Sequence, residues 1–146
     1  MRLLLIKQNN DMTKNEIFDK YENIAVYGMS TNLAKAAHTV PGYMLKQGFK
    51  VIPIHPTAER ILKQDAYKSL SEIPDRIDIL NIFRPSDEAE DIVKEAIARK
   101  KEKGDIKLIW LQLGLSNENA KQLAEENGID YIEDECIYLE HVKAKD

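Results

Sequence analysis

A short apolar segment runs directly into a glycine-containing turn near residue 28, and a helical pattern follows that turn. The segment Ile24-Ala25-Val26-Tyr27 predicts a buried β-strand, Gly28 permits a sharp bend, and Gly48 ends the helical pattern. A helix that starts at such a turn directs unpaired N–H groups and the positive end of its dipole at the space above the strand. The sequence therefore predicts an anion site, suited to phosphate, at the carboxyl end of the first strand.

Further strand patterns follow along the chain, and helical or loop sequence separates them. They cover residues 49–54, 77–83, 106–111 and 129–132. Strands that alternate with helices predict a parallel sheet with right-handed crossovers and helices on both faces. We expect one Rossmann-like domain over residues 1–146, a three-layer α/β/α fold with a five-stranded, mostly parallel sheet in the order 3-2-1-4-5. This order places the ligand-binding edge between strands one and four.

Two parts of the chain give less regular patterns. Pro41 disfavours the α conformation in the residue before it, so we expect the ordered part of the second helix to begin between Thr39 and Pro41. Residues 1–12 predict either a loose arm or an added strand, and the tail at 137–146 carries mixed charge. The connection at residues 57–75 contains few core-type residues.

Composition restricts the class of partner and the compartment. The net charge of -4 gives no general attraction for nucleic acid or anionic membranes, so an anion site has to be local. The single cysteine, Cys136, excludes an internal disulfide and indicates a reducing compartment. The apolar run at residues 3–6 is too short for a signal peptide or a membrane span. We therefore expect a cytoplasmic protein without a membrane or nucleic-acid partner.

The turn after the first strand differs from the three-glycine dinucleotide fingerprint, because Ser30 and Leu33 stand at its second and third glycine positions. The side chains that follow Gly28 are instead able to donate hydrogen bonds to phosphate oxygens. These donors are Ser30, Thr31 and Asn32, and Lys35 adds a positive charge.

The residues at the end of the second strand distinguish between the candidate ligands. An NAD site requires an acidic residue there to accept from the ribose 2′-hydroxyl, but this chain has His55-Pro56, followed by Arg60 and Lys63. A neutral-to-basic patch suits a ribose that carries a phosphate, as in coenzyme A or NADP. Alternatively, the two cations only solvate a loop.

The segment Phe83-Arg84-Pro85-Ser86 follows the third strand and brings together an aromatic ring, a guanidinium and a helix-capping residue. Phe83 is suited to flank an adenine, and Arg84 to stack on a base or pair with phosphate. The alternative is that Phe83 belongs to the core and Arg84 is a surface charge.

Several motifs occur in an order that resembles a known family. They are Gly28-Met29-Ser30-Thr31-Asn32, His55-Pro56, Phe83-Arg84-Pro85-Ser86, Trp110-Leu111-Gln112-Leu113-Gly114, and the segment from Cys136-Ile137 to Glu140-His141. Over residues 15–142 the chain is similar to the small stand-alone CoA-binding proteins of prokaryotes. These are relatives of the N-terminal CoA-binding domain of the succinyl-CoA synthetase α subunit.

The resemblance implies a Rossmann-like fold, coenzyme A as the ligand, and a role for each matching position. It implies that Gly28, Ser30, Asn32 and Lys35 hold the pyrophosphate. His55 and Pro56 would line the ribose and adenine side, with Phe83, Arg84 and Ser86 opposite. Gln112 and Gly114 would border the pantetheine. The chain departs from the family pattern at Leu33, where proline is usual, at Lys35, where arginine is usual, and at Ala37, where serine is frequent. Either phosphate is held more weakly here, or His38 supplies the missing contact.

The sequence contains no recognisable catalytic constellation. His38, His55 and His141 lack metal-site spacing, and neither a P-loop nor a nucleophile elbow occurs. We expect a CoA-binding or acyl-CoA-binding protein that is not an enzyme, with an unknown protein partner. The alternatives are an NADP-binding redox sensor and a non-catalytic subunit of an acyl-CoA ligase or transferase. Cys136 is either a packing residue or a thiol that forms a mixed disulfide with CoA.

Overall fold

A computed structural model describes residues 12–146, so the arm or added strand predicted for residues 1–12 lies almost wholly outside the described residues. The helices are α1 (Lys14–Lys20), α2 (Ala36–Lys46), α3 (Ala89–Lys103), α4 (Glu118–Glu126) and α5 (Ile137–Lys145). The strands are β1 (Asn23–Tyr27), β2 (Lys50–Ile54), β3 (Arg60–Ile61), β4 (Gln64–Asp65), β5 (Ile79–Ile82), β6 (Leu108–Leu111) and β7 (Asp130–Ile132). Short 3-10 helices cover Leu70–Glu72 and Ser86–Glu88.

Five parallel strands form the central sheet, in the order β2-β1-β5-β6-β7. Buried side chains alternate between its two faces, as the pleat of each strand requires. Ile24 and Val26 of β1 pack with residues of α1, α2 and α5, whereas Ala25 packs with residues of α3 and α4. The predicted three-layer Rossmann-like fold is therefore confirmed.

The predicted strand order, 3-2-1-4-5, is wrong in one respect. The strand after β2 in the main sheet, β5, lies beside β1 and not beside β2. The carboxylate of Asp78 fixes this position, because its Oδ2 accepts the backbone N–H groups of Glu22 and Asn23, each at 3.0 Å. The outer side of β2 is instead occupied by Tyr67, which makes a single parallel bridge with Ile54.

The second helix begins earlier than its sequence predicts. α2 is helical from Ala36 and contains Pro41, so the expected start between Thr39 and Pro41 is wrong. Proline has no N–H to donate to the carbonyl four residues before it, which is that of Ala37. That carbonyl accepts the N–H of Ser30 instead, at 3.1 Å. The missing helical bond is therefore replaced by a bond to the turn after β1.

Two regions have more structure than their sequence predicts. The connection at 57–75 contains the antiparallel hairpin β3-β4, whose turn residues Leu62 and Lys63 have φ of 52° and 65°. Leu62 packs on α2, since a Cβ added to Gly42 would lie 3.3 Å from its Cδ1. The mixed-charge tail forms α5, in which Ile137 and His141 are buried. Within residues 12–146, no helix combines the length and apolar character needed to cross a membrane.

Candidate functional site

The residues that follow the central strands meet at the carboxyl edge of the sheet. The N–H of Gly28 donates to Ile54 O at 3.2 Å, and the N–H of Phe83 donates to Tyr27 O at 2.9 Å. The order of the strands therefore places Gly28 beside His55 on one side and Phe83 on the other. The winding of the sheet reverses between β1 and β5, and not between β1 and β6 as the sequence analysis expected. Ligands of open α/β sheets bind at such a reversal, so Gly28 lies at the centre of the candidate site.

The loop after Gly28 is shaped by its own side chains. The Oγ of Ser30 accepts the N–H of Asn32 at 2.9 Å, and Oδ1 of Asn32 accepts the N–H of Ala34 at 2.9 Å. The hydroxyl of Ser30 and the amide NH2 of Asn32 retain the ability to donate. The two side chains therefore fix the path of the loop and still present donors to a ligand.

Several backbone N–H groups of the same loop donate no hydrogen bond to another described residue. Residues 31–36 are all exposed to solvent. The backbone N–H groups of Thr31, Leu33, Ala36 and Ala37 have no acceptor among residues 12–146. Ala36 and Ala37 belong to the first turn of α2, where the helix dipole favours an anion. Lys35 precedes that turn and adds a charge, so this loop is suited to hold phosphate oxygens.

His38 supports the loop from the buried side. Its side chain is 7% exposed, and its Nδ1 lies 2.7 Å from the carbonyl oxygen of Ser30. Because a carbonyl only accepts, this hydrogen bond assigns a proton to Nδ1. The backbone N–H of Ser30 also donates to the carbonyl of Ala37. Both backbone polar groups of Ser30 are therefore bonded to residues of α2. His38 also lines a cleft of about 500 Å³ between α2 and the β3-β4 hairpin, with Lys63 at the hairpin side.

His55 orders the turn that follows β2. Its Nδ1 accepts the N–H groups of Thr57 at 3.1 Å and Ala58 at 2.9 Å, so the neutral ring carries its proton on Nε2. Pro56 is exposed within that turn. Arg60, predicted as part of a basic patch, donates from Nη2 to the carbonyl of Lys63 at 2.6 Å and thereby supports the hairpin turn.

Arg84 covers the glycine turn. A Cβ added to Gly28 would lie 2.8 Å from Cδ of Arg84 and 3.2 Å from its Cγ. The guanidinium makes a two-point ion pair with Glu88, from Nε to Oε1 at 2.9 Å and from Nη2 to Oε2 at 2.8 Å. The hydrogen bond from Arg84 lowers the pKa of Glu88. Phe83, the neighbouring residue, is partly buried against the core.

Tyr27 ends β1 directly before the turn. Its hydroxyl donates to both carboxylate oxygens of Glu95, at 3.0 and 2.9 Å. Burial of the hydroxyl is the main cause that raises the pKa of Tyr27 to about 12, and the hydrogen bond to Glu95 is the second cause. Tyr27 is therefore a neutral hydrogen-bond donor at physiological pH.

Three predicted site residues connect loops at this edge. Oγ of Ser86 accepts the N–H of Ser116 at 3.0 Å. The amide Oε1 of Gln112 accepts the N–H of Ile137 at 3.2 Å, and the N–H of Gly114 donates to Asp134 at 2.7 Å. These bonds fix the loops that follow β5, β6 and β7 relative to one another. Ser86, Gln112 and Gly114 therefore hold the shape of the edge beside the turn.

Cys136 lies directly before α5 and next to Ile137, the residue that bonds Gln112. Its side chain is 8% exposed and packs in the core cluster beneath α1, α2 and α5. This placement agrees with a packing role, and its mixed disulfide with CoA stays a prediction. In the described part of the chain, residues 12–146, no group of three or more His, Cys, Asp or Glu side chains is placed to hold a metal ion.

Two contributions to the site are absent from the sequence-based prediction. Glu88 was not assigned a role, although its position four residues after Arg84 is the spacing of a helical ion pair. The pairing of Ser30 with Ala37 was also missed. Pro41 was the available signal for that bond, since a proline inside a helix leaves one carbonyl without its usual donor.

Pro41→Ala tests this anchoring bond directly. The variant regains an N–H that competes with Ser30 for the carbonyl of Ala37, so we expect hydrogen exchange of the Ser30 amide to become about fivefold faster. Amide exchange followed by NMR measures this effect. The matched control is Thr39→Ala, an exposed position in the same helix that adds no N–H. Equal exchange rates of Ser30 in both variants would contradict the assignment.

A five-stranded parallel sheet that has helices on both faces and reverses its winding beside Gly28 defines the chain as a Rossmann-like domain. Residues 22–142 match the sequence model of the CoA-binding domain. The chain belongs to this family of CoA-binding domains.

The proteins similar to this chain include small proteins and a much longer enzyme. The chain is 35% identical over 130 residues to the uncharacterised protein YneT of Bacillus subtilis, covering 89% of this chain and 93% of that protein. A solved structure from Thermus thermophilus superposes with a TM-score of 0.83 at 30% identity, covering 91% of this chain and 99% of that one. The ADP-forming acetate–CoA ligase II of Archaeoglobus fulgidus is 29% identical over 119 residues, which are 74% of this chain but 17% of the ligase.

Proposed function

We propose that the chain binds coenzyme A or an acyl-CoA at the carboxyl edge of its sheet and performs no catalysis of its own. Membership of the CoA-binding domain family supports the ligand class. The observation that carries the proposal is the segment at 31–37, the exposed loop with the first turn of α2, where four backbone N–H groups lack an acceptor among the described residues, beside Lys35. Such a loop at the N-terminus of a helix fits a pyrophosphate.

The parts of the ligand are assigned along the edge. The pyrophosphate lies over Gly28, against the loop that contains Ser30, Thr31 and Asn32. The adenosine and its 3′-phosphate lie toward His55 and Pro56. The pantetheine passes Phe83 and extends toward Gln112 and Gly114. Gly114 follows β6 and is exposed, so the thiol end remains open to solvent.

The absence of catalysis is proposed from the bonds of the histidines. His38 uses Nδ1 on the carbonyl of Ser30, and His55 uses Nδ1 on two backbone N–H groups. His141 is buried and pairs with the hydroxyl of Tyr43 at 2.9 Å. Each histidine therefore has a structural bond that accounts for its presence, and a carrier or sensor role needs no further group.

Ligand-dependent unfolding tests the proposal. We expect CoA and acetyl-CoA at 100 times their dissociation constant to raise the free energy of unfolding by about 2.7 kcal/mol. 3′-Dephospho-CoA is expected to bind more weakly, and NAD and NADP to give no shift. Thermal unfolding with each compound, followed by calorimetric titration, measures this. A shift with NADP and none with CoA would favour the alternative of a redox sensor.

Two lysines of the same region provide a matched pair for this titration. Lys35 precedes the first turn of α2, and Lys46 lies in the last turn of the same helix. Lys35→Gln is expected to weaken CoA binding about fivefold, because it removes a cation from the phosphate loop. Lys46→Gln removes the same charge far along the helix and serves as the control.

A CoA-binding subunit of an acyl-CoA ligase is a second candidate, favoured by the similarity to the acetate–CoA ligase. In that case the chain alone binds CoA, and ligase activity appears only after a catalytic partner is added. Assay of the purified chain for ADP-forming acyl-CoA synthesis, alone and with fractions of a native extract, separates the two roles.

A further inference from the structure

Arg84 is a cation whose side chain lies against the glycine turn, but its charge is already paired with that of Glu88. Its aliphatic stem lies against Gly28, and its guanidinium pairs with Glu88 through two hydrogen bonds of 2.9 and 2.8 Å. The side chains are 45% and 43% exposed, so the ion pair faces solvent. A guanidinium fork binds a carboxylate and a phosphate with the same two-point geometry. The carboxylate of Glu88 therefore occupies the groups that a phosphate over Gly28 would use.

We propose that Glu88 is a built-in competitor of the ligand's phosphate for Arg84 and thereby sets the affinity of the site. This inference rests on the proposed function, since it concerns the anion held over Gly28. A ligand gains only the difference between its own contact with Arg84 and the ion pair that it displaces. A neutral acceptor makes a weaker hydrogen bond to the guanidinium than a phosphate does, so the ion pair favours phosphate-bearing ligands over neutral ones.

The position of Glu88 lowers the free-energy cost of replacing its carboxylate by a ligand phosphate at Arg84. Glu88 immediately precedes the first residue of α3, Ala89. A carboxylate at a helix N-terminus is stabilised by the helix dipole. When Arg84 turns to a phosphate, Glu88 therefore keeps a favourable environment. Solvent-exposed ion pairs contribute little to stability, so a ligand phosphate is able to displace this one.

Glu88→Gln tests the proposal by releasing Arg84 while it keeps the shape of the side chain. We expect CoA to bind about fivefold tighter to this variant in a calorimetric titration. Asp87→Asn is the matched control, because it removes the same charge from the same 3-10 helix at an exposed residue. Its effect on the affinity is expected to stay below about twofold, since solvent and salt screen a charge that makes no direct contact. Unfolding midpoints of both variants verify that they fold.

A double-mutant cycle separates competition from general repulsion. In the Arg84→Gln background, Glu88→Gln is expected to give no gain beyond that of Asp87→Asn. Equal CoA affinity of the wild type and Glu88→Gln overturns the proposal that Glu88 competes with the ligand. A fivefold gain from Glu88→Gln that remains in the Arg84→Gln background also overturns it. If the wild type and all variants fail to bind CoA, the proposed function itself is wrong. CoA binding by the wild type with no effect of Glu88→Gln removes only the competitor.

Discussion

Replacing Arg99 by alanine is expected to lower the free energy of unfolding by about 3–5 kcal/mol, because it leaves a buried charge without its partner. The side chains of Arg99 and Asp105 are 2% and 7% exposed, and their charged atoms lie 2.9 Å apart. Arg99 also donates to the carbonyls of Leu70, Ile73 and Asp75, each at 2.8 Å. One guanidinium therefore holds the connection between the β3-β4 hairpin and β5 against α3.

Urea unfolding followed by circular dichroism measures this loss, and the melting temperature is expected to fall by about 10 °C. The control is Lys94→Ala on the same helix, where the ion pair with Glu90 is exposed. That variant is expected to lose less than about 1 kcal/mol. If Arg99→Ala loses no more than Lys94→Ala, the buried pair does not stabilise the fold as argued.

The sequence predicts the fold class because that depends on local periodicity. Buried strands such as Ile24-Ala25-Val26 give apolar runs, and the intervening helices repeat at helical spacing. The strand order depends on contacts between residues far apart in the chain. Asp78 fixes β5 beside β1 through bonds to Glu22 and Asn23, and nothing in the local pattern around Asp78 indicates those partners.

The same distinction applies to the site. Gly28 and its loop were predicted from consecutive residues, and the structure places them at the reversal of the sheet. The internal roles of Ser86, Gln112 and Gly114 were not predictable, because their partners Ser116, Ile137 and Asp134 follow other strands. Residues near a ligand edge have to hold that edge together as well as contact the ligand, and sequence patterns do not separate these two tasks.

Arg99 shows most clearly which structural roles the local sequence does not predict. In the sequence it belongs to a run of cations near the end of a helix, where the dipole favours them. Its burial depends on Asp105 after the helix and on the carbonyls of residues 70–75 before it. A surface cation and a buried, fully bonded one have the same local sequence, so only the tertiary structure distinguishes them.

Replacing Gly28 by alanine is expected to weaken CoA binding about tenfold or more while leaving the chain folded. The residue has φ of 93°, so alanine costs about 1–2 kcal/mol from the backbone alone. The added Cβ would also lie 2.8 Å from Cδ of Arg84 and displace that side chain from the turn. A charge-assisted contact with Arg84 is worth about 1.5–3 kcal/mol, and the ligand's net loss is smaller by about 0.2–1 kcal/mol, the contribution of the ion pair with Glu88 that it displaces.

Gly48→Ala separates the two effects of this substitution. Gly48 has φ of 100° and nothing within 4 Å of an added Cβ, and it lies beyond the far end of α2. Both variants are expected to lose similar unfolding free energy, but only Gly28→Ala loses CoA affinity in a calorimetric titration. Equal affinity of the two variants would show that the bend after β1 does not hold the ligand. A loss confined to Gly28→Ala would show that the bend after β1 holds the ligand, because a general loss of stability is common to both variants.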